Sequence, residues 1–299
     1  MMTTAGSDAV SSTVRRWQLT ESLRQLREQA GFTMHEAADE LRKQPGKWSR
    51  SKLQRIETRD QKVRYREVEQ LLDLYKVTDT ELRTWLLDLA STANERGYWL
   101  AIRKEFPPDF RNVLEVEGAL VAQRQLETMV VPGLLQTPDW ARAVMSGGSP
   151  DLSAEAIERR VMARMARQQV LTREEPLKLH VIIDEPVLER PVGSDTIMRD
   201  QLQRLVEQAQ REHITIQVLP RSAGATPAVD GSFSILTLPD PIPDFGYAEA
   251  PGGTLYIEDR DEVRNYTLRF GILTERAWSP EESTARIERA VQQFAKAAV

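Results

Sequence analysis

The N-terminal third of the chain repeats apolar residues at intervals of three and four, which is the spacing of one face of an α-helix. Five such stretches lie between residues 15 and 90, and they predict five helices that form a complete small domain. Helix by helix, the predicted buried faces consist of Leu19, Leu23, Leu26 and Ala30; Met34, Ala37, Ala38 and Leu41; Leu53 and Ile56; Val68, Leu71, Leu72 and Tyr75; and Leu82, Trp85, Leu86 and Leu89.

Short polar signals mark where these helices begin and end. Gly31 is a C-terminal cap for the first helix, and Thr33 with Glu36 three residues later predicts a capping box for the second. Ser49 predicts the N-cap of the third helix, and residues 78–81 predict a second capping box before the fifth. The second and third helices are therefore joined by a turn, as in a helix-turn-helix.

The pattern changes in the second half of the chain, where short β-branched or alternating runs predict strands. A helix between the first two strands predicts a β-α-β unit, and the later, closely spaced strands predict an antiparallel extension. The predicted strands cover residues 177–184, 214–220, 232–238, 244–250 and 254–259. The predicted helices cover residues 138–145, 154–171, 195–211, 259–273 and 280–296.

These elements predict an α+β multidomain protein with an all-α N-terminal domain and a mixed α/β C-terminal domain. The domain boundaries that we expect are a disordered tail over residues 1–14, a helix-turn-helix domain over 15–90, a helical bridge over 91–123 and an α/β domain over 124–299.

Charge is distributed unevenly along the chain. The net charge is −5, but residues 42–66 contain ten Lys or Arg against two acids, so that this window carries +8 and the remainder −13. A basic window on an acidic body is typical of a DNA-binding surface. The chain has no cysteine, no apolar run of the ~20 residues that span a membrane and no secretory start, so we expect a cytoplasmic, nucleoid-associated protein.

The outer side of the third helix carries groups that read DNA. Arg can bind guanine with two hydrogen bonds, Gln can bind adenine, and Ser or Lys can hold phosphate. At 100° per residue, Gln54 lies about 40° from Arg50 and Arg55 about 140° from it, so Arg50 and Gln54 are the expected base readers. The predicted DNA-binding residues are Ser49, Arg50, Ser51, Lys52, Gln54, Arg55, Lys62 and Arg64.

The segment LRQLREQAGFTMHEAADEL followed by WSRSKLQRIE resembles the lambda-repressor/Cro-like (XRE) helix-turn-helix family over residues 15–77. The resemblance implies base contacts by Arg50, Ser51, Gln54 and Arg55, with Ser49 and Lys52 near phosphate. Members of this class bind as two-fold dimers, so a homodimer is expected. The link between Leu41 and Ser49 is several residues longer than the turn usual in the family, which can tilt the recognition helix.

The second half resembles the C-terminal domain of actinobacterial regulators of the WhiJ type. The residues that carry the resemblance are VPGLLQTPDWARAVM, IIDEPVLERPVG, IQVLP and the ending EVRNYTLRF…SPEES. This kinship implies a small partner protein encoded nearby and a likeness to antitoxins.

The sequence contains few groups that suggest catalysis. The three histidines, His35, His180 and His213, lack a second ligand at metal spacing, and no phosphate loop or nucleophile motif occurs, so we expect no metal, no cofactor and no enzyme. One charged group follows a predicted strand, where α/β folds place ligands, and it can bind a ligand or partner or form a structural ion pair. It consists of Asp184, Glu185, Glu189 and Arg190.

Three functions remain open at this point. The first is a sequence-specific transcriptional regulator whose C-terminal domain senses a small protein or ligand. The second is an antitoxin-like binding module whose DNA binding is autoregulatory. It differs from the first in the partner that it binds. The third is a small-molecule enzyme targeted to DNA, which a nucleophile, metal or phosphate-loop signature would favour.

Overall fold

The structure is a computed structural model that describes residues 12–92, 116–149, 151–250 and 253–297. Contacts divide the chain into two units. The described part of the first unit comprises residues 12–92 and two short segments, 116–119 and 238–243, and the second unit contains the rest.

Five helices form the main part of the first unit, as the apolar spacing predicts. They are α1 (Ser12–Gln29), α2 (Met34–Arg42), α3 (Arg50–Glu57), α4 (Tyr65–Leu74) and α5 (Thr80–Thr92). Their apolar faces meet in one core that includes Leu23, Leu41, Leu53 and Leu71.

The caps in this unit follow from the local sequence. Thr33 and Glu36 form the predicted capping box, and the Ser49 hydroxyl accepts the Lys52 backbone N–H at 3.1 Å. Gly31 closes α1 with a φ of +77°, a left-handed conformation in which a Cβ is strained. Each cap satisfies N–H or C=O groups that a helix end leaves without partners.

A six-stranded sheet lies in the second unit, with the strand order β3-β2-β1-β4-β5-β6. Strands β1, β2 and β3 are parallel, and β4, β5 and β6 extend the sheet in antiparallel fashion beyond β1. The strands are β1 (Ala122–Glu127), β2 (Lys178–Asp184), β3 (Ile214–Leu219), β4 (Phe233–Thr237), β5 (Phe245–Ala250) and β6 (Gly253–Ile257).

Five helices accompany this sheet among the described residues. They are α6 (Pro138–Gly148), α7 (Ala154–Arg167), α8 (Asp195–Ala209), α9 (Arg260–Arg276) and α10 (Pro280–Ala297). Helix α9 covers one face of the sheet, where Phe270 and Leu273 pack against Leu126, Ile182 and Ile235. Helices α8 and α10 pack against each other and against β3. The α+β architecture and the β2-α8-β3 crossover confirm the predicted fold class.

The central strand β1 was not predicted from the sequence. Its six residues, AQRQLE, contain one large apolar side chain, Leu126, because the other face of the strand is polar. On that face Gln123 donates to Gln125 at 2.9 Å, and Gln125 donates to Glu127 at 2.7 Å. Side-chain hydrogen bonds along the strand therefore replace the apolar alternation that would have identified it.

Three details of the predicted N-terminal domain were wrong. Helix α1 begins at Ser12, inside the tail expected over residues 1–14. Asp79, not Thr78, caps α5, because its carboxylate accepts the backbone N–H groups of Glu81 and Leu82. Trp85 is 37% exposed instead of lying in the core. Residues 1–11 of the expected tail and residues 93–115 of the expected bridge lie outside the described part of the chain.

Two glycines provide a matched test of these backbone arguments, because an added Cβ would meet no atom within 4 Å at either one. We expect Gly31→Ala to destabilise the fold by about 1 kcal/mol, since alanine resists the left-handed conformation. Gly271→Ala, inside α9, should stabilise it by about 0.5–1 kcal/mol, because glycine loses more backbone entropy in a helix. Calorimetry of the full chain measures both changes in the free energy of unfolding. Changes of the same sign in the two variants would contradict the backbone conformations given for Gly31 and Gly271.

Candidate functional site

Helix α3 presents its polar side chains outward and its apolar ones to the core. Leu53 and Ile56 are 1% and 0% exposed, while the side chains at the four predicted base-reading positions are all exposed. Those four residues are Arg50, Ser51, Gln54 and Arg55. The geometry therefore agrees with the orientation expected of a recognition helix; their contacts with bases stay a prediction.

The long link before α3 is held to the domain by Trp48. This side chain is 6% exposed, and its Nε1 donates to Oε1 of Gln70 at 2.9 Å. The Gln70 amide in turn donates to the carbonyl of Pro45 at 2.7 Å. Gly46 has a φ of +128°, and a Cβ there would lie 3.6 Å from the Trp48 indole nitrogen. The extra residues thus form an anchored turn. Sequence reasoning missed the anchoring role of Trp48, although a tryptophan next to an N-cap was a visible signal.

Lys52 lies in a different environment from the other basic residues of α3. Its ammonium group is 2.5 Å from the Glu67 carboxylate and 4.3 Å from the centroid of the Trp48 ring. Only 13% of its side chain is exposed. Lys52 therefore joins α3 to α4. The phosphate contact predicted for Lys52 would have to compete with this ion pair.

The C-terminal end of α3 is fixed by a bidentate ion pair with α1. Nε and Nη2 of Arg27 donate to the two carboxylate oxygens of Glu57 at 2.8 and 2.9 Å. The remaining Nη1 donates to the Phe32 carbonyl at 2.8 Å, in the turn before α2. The hydrogen bond to Glu57 raises the pKa of Arg27 above its ordinary value. One guanidinium group thus connects α1, the turn and α3.

The basic window forms an exposed surface around α3. Eight of its ten Lys and Arg side chains are exposed: Arg42, Lys43, Lys47, Arg50, Arg55, Lys62, Arg64 and Arg66. The two others are held within the domain, Lys52 by Glu67 and Arg59 by stacking at 4.6 Å over the Trp17 ring. Arg55 donates to Gln61 at 3.1 Å, which joins α3 to the loop that follows it.

The charged group after β2 is an ion-pair network. Arg286 of α10 donates to Glu185 at 2.7 Å and to Glu189 at 2.6 Å. Glu189 also pairs with Arg221, whose backbone N–H donates to Glu185 at 3.0 Å. The structure thus brings together two of the four predicted residues with two arginines that the sequence analysis had not included.

Asp184 and Arg190, the two other predicted members, have different surroundings from Glu185 and Glu189. Burial raises the pKa of Asp184 above its usual range. For Glu185, burial alone would also raise the pKa, but hydrogen bonds from Arg221 and Arg286 outweigh it, and the pKa is lowered. Arg190 is exposed, and no described contact joins it to the network. The ion-pair interpretation therefore accounts for Glu185 and Glu189.

The basic helix α7 is only partly a solvated face. Arg167 is 8% exposed, and Arg164 donates to the side chain of Gln136 at 2.8 Å. Gln136 is itself buried and donates to the Val131 carbonyl. Arg164 and Arg167 therefore turn toward the loop after β1 instead of facing water.

The histidines occupy three separate positions. The His180 ring lies 2.7 Å from Oε1 of Gln217 and stacks edge-on against Phe270, with centroids 5.0 Å apart. His213 lies 3.0 Å from the Leu171 carbonyl, and exposed His35 lies 3.6 Å from Asp39. Within the described ranges no three His, Asp or Glu side chains gather as a metal site would require. The absence of a metal stays a prediction.

Comparison with known families gives one match in the N-terminal part of the chain and another in the C-terminal part. Residues 18–85 match a helix-turn-helix domain, which supports a DNA-binding regulator of the XRE-like class. Residues 110–289 match the domain of unknown function DUF5753, which covers more than half of the chain. The chain therefore belongs to the DUF5753 family. Searches of curated proteins and of solved structures gave no significant match.

The described residues form no helix that could span a membrane. None of their helices combines the length and the apolar composition needed to cross a bilayer.

The buried imidazole of His180 gives a test of the packing in the second unit. Burial lowers the pKa of His180, even though the hydrogen bond with Gln217 acts in the opposite direction. The unfolded imidazole, with a pKa of about 6.5, therefore takes up a proton at higher pH than the folded one. We expect this contribution to stability to be complete above about pH 6.5 and to be lost as the pH falls through the folded value.

Titration of the three imidazoles by NMR measures this pKa, and His180→Gln assigns the resonance. In that variant the free energy of unfolding should fall less steeply below about pH 6.5 than in the wild type. His35→Gln, a change at an exposed position, is the control. A pKa of His180 at or above the ordinary value would contradict the prediction.

Proposed function

We propose that the chain is a sequence-specific transcriptional regulator of the WhiJ type known from actinobacteria, and that it binds operator DNA as a homodimer at the nucleoid. Its N-terminal unit would place α3 in the major groove. Its C-terminal domain would sense a small partner protein, as antitoxin-like regulators do, or a ligand, and would catalyse no reaction.

One observation carries the DNA-binding part of this proposal. Helix α3 exposes Arg50 and Gln54 about 40° apart while Leu53 and Ile56 anchor its other side in the core. Bidentate pairing of Arg with guanine and Gln with adenine requires such side chains on a rigid helix. The exposed basic residues around α3 supply the phosphate contacts that set its position on the duplex.

The sensing role rests on the second unit. Glu185 and Glu189 already have arginine partners, so their carboxylates are less available to a new ligand than the sequence suggested. The polar row on β1, from buried Gln123 to partly buried Gln125, is hydrogen-bonded along the strand as well, so a ligand there would exchange these bonds for its own. Buried polar side chains cost stability unless they are paired, and a few of them lining a site give a ligand its orientation.

The first test separates base reading from phosphate binding. We expect Arg50→Ala to weaken binding of the full chain to its operator by about 1–3 kcal/mol and to relax preference at one base pair. Arg64→Ala or Lys62→Ala should weaken binding to all sequences alike and lower the salt dependence, since each lost phosphate contact removes about 0.9 released counterion.

Fluorescence anisotropy with operator variants, over a range of salt concentrations, distinguishes these outcomes. Arg190→Ala, an exposed arginine of the second unit, is the matched control and should change neither quantity. If Arg50→Ala left the ranking of operator variants unchanged, the anchored turn before α3 would place another side chain at the bases.

The second test concerns the C-terminal domain. When the full chain is co-expressed with the small protein encoded beside it, we expect both to elute together in size-exclusion chromatography. Alternatively, thermal shift with small-molecule sets should identify a stabilising ligand. A reaction product whose formation is lost in Asp184→Asn or Glu185→Gln would replace this role by an enzymatic one.

A further inference from the structure

Helix α9 carries an apolar pair on the side that faces away from its own core. Leu268 and Ile272 are 62% and 47% exposed. At 100° per residue, each lies about 160° around the helix from Phe270, which is buried against the sheet. They are one turn apart and form a short outer stripe. Contiguous exposed apolar residues mark interaction sites more often than scattered single ones do.

Charged residues border this stripe in an ordered way. Arg264 and Glu275 both lie about 40–60° to one side of it, near opposite ends of the helix. Asp261 lies in line with the stripe at the N-terminal end, and Arg276 lies about 60° to the other side at the C-terminal end. All four side chains are exposed.

We infer that the outer face of α9 binds α9 of a second copy of this chain, antiparallel and across a two-fold axis midway between Leu268 and Ile272. This axis is perpendicular to the helix and places Leu268 against the partner's Ile272. Residues on one side of the stripe then meet residues on the same side of the partner. Arg264 consequently lies beside the partner's Glu275, and Arg276 lies beside the partner's Asp261.

The self-complementary charges favour a second copy over an unrelated partner. In the antiparallel arrangement Arg264 and Arg276 each meet an acid, and symmetry forms each pair twice. A parallel two-fold pair would separate Arg264 from the partner's Glu275 by about 16 Å along the helix axis, so this ion pair requires the antiparallel arrangement. Register places exposed Leu255 on the same face of the sheet as α9, because it pairs with Ala248, which packs against the core under Phe270.

This inference rests on the proposed homodimer and assigns its surface. The contact residues of this dimer lie in the second unit, so α3, which would bind a half-site of DNA, is not part of the interface. It also means that the family domain, rather than the helix-turn-helix, holds the two copies together.

The apolar stripe is tested with the full chain by analytical ultracentrifugation. Leu268→Glu with Ile272→Glu changes only exposed positions, so folding should persist by circular dichroism. The dissociation constant of the dimer should rise by about a hundredfold, because each lost contact occurs twice by symmetry. Met162→Glu, at a position of α7 that is equally exposed at 62%, is the matched control and should leave dimerisation unchanged.

The charge pairs give a sharper test. Arg264→Glu alone places two acids together at both symmetric contacts, and Glu275→Arg alone places two arginines together, so each variant should dimerise less than the wild type. When the two variants are mixed, every contact again joins an acid to a base. The mixture should therefore form heterodimers in preference to either homodimer, which native mass spectrometry detects directly.

The outcomes separate this surface from the proposed function. If the wild type forms a dimer that the glutamate variants do not weaken, or if mixing yields no preference for heterodimers, the α9 surface is overturned while a homodimer stands. A wild type that is monomeric at every concentration and on DNA would remove the homodimer and its surface together. Base reading by Arg50 would still be tested separately through operator ranking.

Discussion

The buried ion pair between Arg27 and Glu57 is the constraint on which the DNA-binding unit depends. Glu57 ends α3, Arg27 lies in α1, and the same guanidinium holds the turn before α2. Removing one partner of such a pair costs about 3–5 kcal/mol, because the other charge is left desolvated. A bidentate contact also fixes orientation and distance together. The orientation of α3 is therefore fixed at its C-terminal end by a side chain of α1.

The other end of α3 is fixed by different chemistry. Trp48 packs in the core and bonds to Gln70, while Lys52 lies between the Trp48 ring and Glu67 of α4. The helix is thus fastened at its N-terminus by an aromatic anchor and at its C-terminus by a carboxylate. A link that is longer than the family's usual turn is tolerated because its residues are packed and hydrogen-bonded.

In the second unit, polar side chains stabilise positions where apolar ones are expected. The row from Gln123 to Glu127 lies on the central strand. Arg286 binds Glu185 and Glu189 in the segment after β2, and Arg221 joins both to the segment after β3. Such networks restrict the arrangement of the segments that they join, because an unpaired buried charge is costly.

The sequence by itself determined whatever depends on local periodicity. The five N-terminal helices, five of the six strands and the caps at Thr33 and Ser49 follow from spacing and from hydrogen bonds between near neighbours in the chain. The orientation of α3 followed too, because Leu53 and Ile56 define its inner side. Only the tertiary structure decided what depends on distant partners. Strand β1 has no apolar alternation of its own, the partners of Glu185 lie 36 and 101 residues away, and Lys52 turns inward because α4 supplies Glu67. Local sequence patterns determine which face of a helix or strand is buried. Which residue becomes the partner in an ion pair is decided only when distant segments of the chain pack together.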